Sequence, residues 1–195
     1  CGVQHISTYQ LTIEKKTIFG HRIQKGAQLL DSESTLLDMF HGIRKHLLAR
    51  GYPPYELCSA SLPRYRSQHG LGYWTGRDYL ALGAGGHGFY RRASGGAVRW
   101  GNERSPERYM ESALAGQLVD EFHETSNERE LHEELLMMGL RLEDGLKPTP
   151  SMKAYFADNA ARCERLGLIQ RVDDRWAVSD RGRDILDSVI VEMIS

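Results

Sequence analysis

The chain has 195 residues, 41% of them hydrophobic and 26% charged, with 25 Lys and Arg against 26 Asp and Glu for a formal net charge of -1. These values describe a globular chain of one or two domains and exclude a disordered one. No apolar run approaches the roughly 18 residues that a transmembrane helix needs, and a balanced charge excludes a broad basic footprint for nucleic acid.

No basic segment followed by an apolar stretch opens the chain, so the expected location is the cytosol or an organelle matrix. His5 to Glu14 carries β-branched and aromatic residues and reads as a strand closed by a Lys15-Lys16 turn. A helix follows, capped by Asp31 or Ser32, with Leu36, Leu37, Met39, Phe40, Ile43, Leu47 and Leu48 at helical spacing. Gly51 stands where a left-handed C-terminal residue is expected, and Pro53-Pro54 forbid continuation. Tyr55 to Ala60 and Tyr79 to Ala84 read as two further strands. Strand, helix, strand predicts a parallel α/β unit, whose strand-end loops gather ligands. Those loops hold Leu11-Thr12, Ser59-Ala60 and Gly83 to Gly88. Pro63 to Gly72, polar and punctuated by glycine, reads as a surface loop carrying His69. Arg91 to Arg104 reads as a loop or irregular hairpin, and Arg91, Arg92 and Arg99 as solvated loop charge.

From Ser105 the character turns helical. Ser105 caps a helix with Pro106 at its first position and Tyr109, Ala113, Leu114 and Val119 on one face. Asn127-x-x-Glu130 has the form of a capping box before Leu131, Leu135, Met138 and Leu142, a helix ended by Gly145 and Pro148. Ser151 to Leu166 forms the next helix, through Met152, Tyr155, Phe156, Ala160 and Cys163. Leu168 to Val172 and Arg175 to Val178 flank Asp173-Asp174 as a short hairpin, and Ser179 caps a last helix with Ile185, Leu186, Val189, Ile190 and Met193. Helix, hairpin, helix resembles a winged-helix module. The expected organisation is therefore an α/β part over residues 1–104 and a mostly helical, winged-helix-like domain with a small β-hairpin over residues 105–195.

The richest chemistry lies in His69-Gly-Leu-Gly-Tyr73-Trp74 and the following Asp78-Tyr79-Leu80-Ala-Leu82-Gly83-Ala84-Gly85-Gly86-His87. Imidazole binds metals or shuttles protons, Tyr and Trp offer flat apolar faces, and glycines let backbone approach a ligand closely. Together they suit a flat organic cofactor. If the segment is extended, Tyr73 and Trp74 point to opposite sides and at most one faces the same ligand. Gly83 to Gly86 lacks the spacing of a dinucleotide fingerprint and reads as a strand-end turn. Glu133-Glu134 and Glu143-Asp144 read as solvated helix faces, and Glu56 as a strand-end base or an Arg partner. No catalytic residue is assigned, because no nucleophile has a base nearby in sequence. Cys1, Cys58 and Cys163 are too far apart for a local metal site, and Cys163 reads as a core residue.

These motifs resemble the HemW branch of the oxygen-independent coproporphyrinogen III oxidase-like radical SAM proteins. There, His-Asn-x-x-Tyr-Trp precedes Asp-Tyr-Leu-Gly-x-Gly-x-Gly-Ala-His. The likeness extends to Tyr9-Gln10-Leu11-Thr12-Ile13-Glu14 with Thr17 and Phe19, to Gly51-Tyr52 and Tyr55-Glu56, and to Pro106, Tyr109 and the run Glu134 to Leu142. The resemblance implies the closing strands of a partial (β/α) radical-SAM barrel followed by a helical HemN-type C-terminal domain. It implies heme as the ligand of His69, either as axial metal ligand or as porphyrin contact, with Tyr73 and Trp74 as stacking candidates. His87 is a second candidate ligand. Leu11 and His87 align with S-adenosyl-L-methionine contacts, at a rim that includes Gly83 and Gly85. Gly70 replaces the family's Asn and removes an amide beside the imidazole. The family's Cys-x-x-x-Cys-x-x-Cys loop for a [4Fe-4S] cluster is missing, and the opening at Cys1 reads as the second half of a longer protein.

The function implied is a heme-binding chaperone that passes heme to a receiving protein. The alternative is oxygen-independent coproporphyrinogen III oxidase, so enzyme and chaperone stay open. A winged-helix nucleic-acid module is a third reading, opposed by the near-neutral faces of Lys153, Arg162 and Arg165 against Asp158 and Glu164. Apolar strand faces left uncovered predict a homodimer or instability in isolation.

Overall fold

The computed structural model describes residues 2–117 and 120–195; Cys1 and Val119, two of the residues considered above, lie outside them. The chain divides into a unit that ends at Ser67 and a second unit, Gln68–Ser195.

In the first unit, β1 (His5–Ser7) pairs antiparallel with β2 (Ser59–Ser61), Ile6 opposite Ala60. The parallel arrangement expected from strand, helix, strand is therefore corrected. The strand expected over residues 5–14 is also shorter, because among the described residues the ladder ends where the Thr8 amide donates to the Cys58 carbonyl at 2.8 Å. Tyr55 anchors this pair: it is 2% exposed, and its hydroxyl accepts from the Ser67 amide at 3.2 Å and lies 2.8 Å from His5 Nε2. The helix α1 (Ile18–Gln24), absent from the sequence reading, starts where the Thr17 hydroxyl accepts from the Gly20 amide. In α2 (Glu33–Ala49) the cap is Ser32, whose hydroxyl accepts from the Thr35 amide. Gly51 has φ +83°, as the helix stop requires. The apolar stripe forms as expected, yet no residue of α2 is buried.

The second unit begins with α3 (Gln68–Trp74) and an antiparallel meander of β3 (His87–Arg91), β4 (Ala97–Asn102) and β5 (Asp120–Ser126). Between β4 and β5 lies α4 (Pro106–Leu114), capped by Ser105 with Pro106 at its first turn, as expected. The strand expected at 79–84 reduces to one bridge, Tyr79 opposite Phe89, because Gly83 at φ +83° and Gly85 at φ +66° turn the chain out of an extended course. Strand β5 escaped the sequence reading because its run is polar apart from Phe122 and it lies at a sheet edge, where little apolar surface is needed. Its pairing with β4 gives one sheet strands from both sides of residue 104.

The C-terminal part is a helix, hairpin and helix arrangement. α5 (Glu128–Gly139) opens with the expected capping box between Asn127 and Glu130. It ends earlier than Gly145, at Leu140, because Leu146 must turn back to pair with Trp176, and Gly139 lets the Leu146 side chain lie against the helix. Thr149 caps α6 (Pro150–Arg165), and β6 (Ile169–Val172) pairs with β7 (Arg175–Val178). The connecting Asp173 and Asp174 have φ 48° and 61°, the left-handed pair of a tight hairpin, which Asp tolerates. The final helix is two: α7 (Asp180–Asp184), capped by Ser179, and α8 (Leu186–Ile194), with Ile185 breaking the helical course between them. Leu136, Leu140, Met152, Phe156, Cys163, Val189 and Met193 are fully buried, so α5, α6 and α8 share one core. Among the described residues, no helix is long and apolar enough to cross a membrane.

Candidate functional site

His69 lies in α3 and not in a loop. The expectation failed because Gly70 and Gly72 each disfavour a helix by about 1 kcal/mol, yet local hydrogen bonds and packing against α5 hold the turn. The Arg77 amide donates to the Gly72 carbonyl at 2.8 Å, and the Thr75 hydroxyl donates to the Leu71 carbonyl at 2.7 Å. Gly76, at φ +63°, stops the helix against the Leu135 side chain of α5, which would overlap any Cβ placed there.

On a helix, residues four apart share a face, so His69 and Tyr73 come together. Their rings meet edge-on with centroids 4.9 Å apart. Trp74 is turned about 100° from Tyr73 and is half-buried, so Tyr73 is the aromatic that shares the imidazole's face. The contact continues inward: Tyr73 meets Tyr79 at 4.8 Å, and Tyr79 stacks on Phe89 at 5.8 Å with 26° between the rings. Phe89 is buried with Ala97 and Leu131, and the Arg99 guanidinium lies over its ring at 5.2 Å. Arg99 also pairs with Glu134 of α5. The result is a ladder from an exposed imidazole to a buried phenylalanine, ending at an ion pair.

Burial pushes the Tyr79 hydroxyl above its ordinary value, and the facing Arg99 guanidinium partly offsets this. Arg99, expected to be solvated loop charge, and Glu134, expected on a solvated helix face, are thus corrected to the inner end of this ladder. Tyr79 and Phe89 were also missed as site residues. Their signal was the alternation Phe89, Arg91 on β3 facing Ala97, Arg99 on β4, legible only once β3 and β4 pair.

The other candidates fall elsewhere. His87 opens β3, is exposed, and packs against Phe122 at 5.2 Å, not against His69. Gly83 and Gly85 form the expected turn, but both amides are engaged: Gly83 donates to the Tyr109 hydroxyl at 3.2 Å and Gly85 to the Glu103 carbonyl at 2.9 Å. The buried Asn102 side chain donates to the Gly83 carbonyl at 2.9 Å. Leu11 belongs to the first unit, 60% exposed in an irregular segment. Among the described residues, no three His, Cys, Asp or Glu side chains gather as a metal site. A cavity of about 130 Å³, lined by Phe89, Ala97, Arg99, Glu124, Thr125, Ser126 and Glu134, lies at the inner end of the ladder. Enclosed organic ligands need roughly 300–1,000 Å³. This cavity is therefore too small to enclose a large planar ligand.

The model of the HemN C-terminal domain matches residues 127–185. The chain is 29% identical over 189 residues to heme chaperone HemW of Mycobacterium tuberculosis, covering 97% of this chain and 47% of the relative. It is 30% identical over 202 residues to heme chaperone HemW of Escherichia coli, covering 95% and 48%. A zebrafish (Danio rerio) relative, radical S-adenosyl methionine domain-containing protein 1, mitochondrial, is 27% identical over 199 residues, covering 95% and 45%. The solved radical SAM enzyme coproporphyrinogen III oxidase (HemN) of Escherichia coli superposes with a TM-score of 0.66 at 13% identity, covering 98% of this chain and 48% of that one, which establishes a shared α/β fold. The chain spans about half the length of these relatives. Along nearly its whole length, this chain is similar to about half of the heme chaperone HemW proteins and shares the fold of the corresponding part of coproporphyrinogen III oxidase.

Proposed function

We propose that this chain binds heme on the His69–Tyr73 face of α3 and belongs to a chaperone that hands heme to a receiving protein in the cytosol or an organelle matrix. The observation that carries the reading is the pairing of an exposed imidazole with a tyrosine ring on one helix face, 4.9 Å apart, in a chain similar to proteins named heme chaperone. Imidazole is a common axial ligand of heme iron, and an aromatic ring four residues on supports the porphyrin plane. An open face also suits cargo that must leave, since a handed-over ligand needs an exit. The likeness to coproporphyrinogen III oxidase speaks for the fold alone, so the chaperone reading is preferred to the oxidase.

The donor set does not fit a [4Fe-4S] cluster. The sequence has three cysteines, in none of the spacings such a cluster uses, and Cys163 is buried in the C-terminal core. Of the S-adenosyl-L-methionine contacts that the resemblance implies, Leu11 lies in the first unit and Gly83, Gly85 and His87 lie in the second.

Titrating the 195-residue chain with hemin tests the reading. The expected result is a shifted Soret band that His69→Ala abolishes and Tyr73→Ala weakens. An unchanged Soret band in the wild type, or identical binding by His69→Ala, would refute it.

A further inference from the structure

We infer that Asn102 and Tyr109 are positioning residues that hold the Gly83–Gly86 turn closed to anionic ligands, a role independent of hemin binding at the His69–Tyr73 face.

A turn with glycines at positive φ can aim successive amides to one side, which makes a backbone cradle for phosphate or carboxylate. Gly83 at φ +83° and Gly85 at φ +66° give this turn the residues and dihedrals for such a cradle. Its amides are engaged within the protein instead. Gly83 donates to the Tyr109 hydroxyl at 3.2 Å, Gly85 to the Glu103 carbonyl at 2.9 Å and Gly86 to the Gly83 carbonyl at 3.2 Å. Among the described residues, the Ala84 amide has no such acceptor, and one donor makes no cradle. Asn102 ties both ends of the turn: its Nδ2 donates to the Gly83 carbonyl at 2.9 Å and its backbone amide to the Gly86 carbonyl at 2.8 Å. The register shift between Gly101 and Asn102, a bulge against β5, takes this residue out of the regular ladder. At 4% exposed, Asn102 has little water to replace the Gly83 carbonyl, so loss of that partner is costly. Tyr109 lies in the first turns of α4, whose start is fixed by the Ser105 cap and Pro106. Its hydroxyl occupies the place at the Gly83 amide that an oxygen of an anion would take. The nearby cations are committed as well. Arg104, whose side chain lies 3.8 Å from a Cβ built on Gly85, pairs with Glu121 at 2.6 Å, and Arg108 pairs with Glu103 at 2.8 Å. What precedes the turn in the chain is exposed and apolar, Leu80 at 76% and Leu82 at 84%.

The test uses the ¹⁵N-labelled full chain, with amide hydrogen exchange as one readout and amide shifts during a pyrophosphate titration as the other. In the wild type, Gly83, Gly85 and Gly86 are expected to exchange slowly and to stay unmoved by millimolar pyrophosphate. Tyr109→Phe keeps the ring and removes the acceptor. Exchange at Gly83 should then rise about tenfold, the worth of one hydrogen bond, and its amide should now shift with pyrophosphate. Asn102→Ala should speed exchange at Gly83, Gly85 and Gly86 together, and wild-type exchange in this variant would remove Asn102 from the role. Turn amides that respond to pyrophosphate in the wild type would overturn the inference. So would a Gly83 amide that, in Tyr109→Phe, either exchanges as before or ignores pyrophosphate. If Asn102→Ala does not fold, Tyr109→Phe still decides, because removing one hydroxyl from a half-buried ring leaves its packing in place.

Discussion

Gly76→Ala tests how α3 is held against α5. The substitution places a Cβ at φ +63°, which costs about 1–2 kcal/mol for a residue other than glycine. It also drives that Cβ into Leu135 Cδ2, the far end of a side chain that can move at the usual overpacking cost of about 1–3 kcal/mol. The sum is a loss of about 2–5 kcal/mol. Gly167 is the control, because it occupies the same helix-stop position after α6 at φ +69° with nothing within 4 Å of a built Cβ. Gly167→Ala should thus cost only the conformational part, about 1–2 kcal/mol. Adding Leu135→Ala to Gly76→Ala relieves the overlap, so the two changes should couple favourably by about 1–3 kcal/mol. Urea unfolding followed by tryptophan fluorescence measures this directly, since Trp74, Trp100 and Trp176 all lie in the second unit. Equal losses for Gly76→Ala and Gly167→Ala, or no coupling with Leu135, would refute the reasoning.

Two further outcomes follow from ionisable groups. Tyr79, raised by burial against the partial offset of Arg99, contributes stability that is present below the ordinary phenol range and lost as pH rises through its folded value. Difference phenolate titrations against Tyr79→Phe should find it above the ordinary phenol value, and Arg99→Met should raise it further; an ordinary titration would refute the burial argument. Cys163 has its thiol pushed up by burial and then by Glu192, with Arg162 acting the other way. Cys163→Ala should leave the native thiol titre with Ellman's reagent unchanged and lower only the denatured titre, and a lowered native titre would place Cys163 outside the core.

Local chemistry made much of the C-terminal part legible. The capping box at Asn127, the Asp173-Asp174 hairpin and the cap at Ser179 each satisfy their backbone groups within a few residues, so sequence alone locates them. The stripe through Met152, Phe156, Ala160 and Cys163 likewise becomes the buried face of α6. The site was legible only in part. His69 and Tyr73 stood out by residue type, whereas Tyr79, Arg99 and Glu134 carried no local mark, since nothing in a loop arginine or a helix glutamate announces a partner 35 residues away.

The sequence by itself determined the family likeness, the caps and turns, and the residue types from which heme binding is proposed. Only the tertiary structure decided that Gln68–Trp74 is a helix, that β1 and β2 run antiparallel, and that His69 pairs with Tyr73 while Trp74 is turned away. The reason is physical. Two glycines argue against a helix by local propensity, and the contacts that outweigh them come from Leu135 and Phe89, residues that meet α3 and Tyr79 only after the chain has folded.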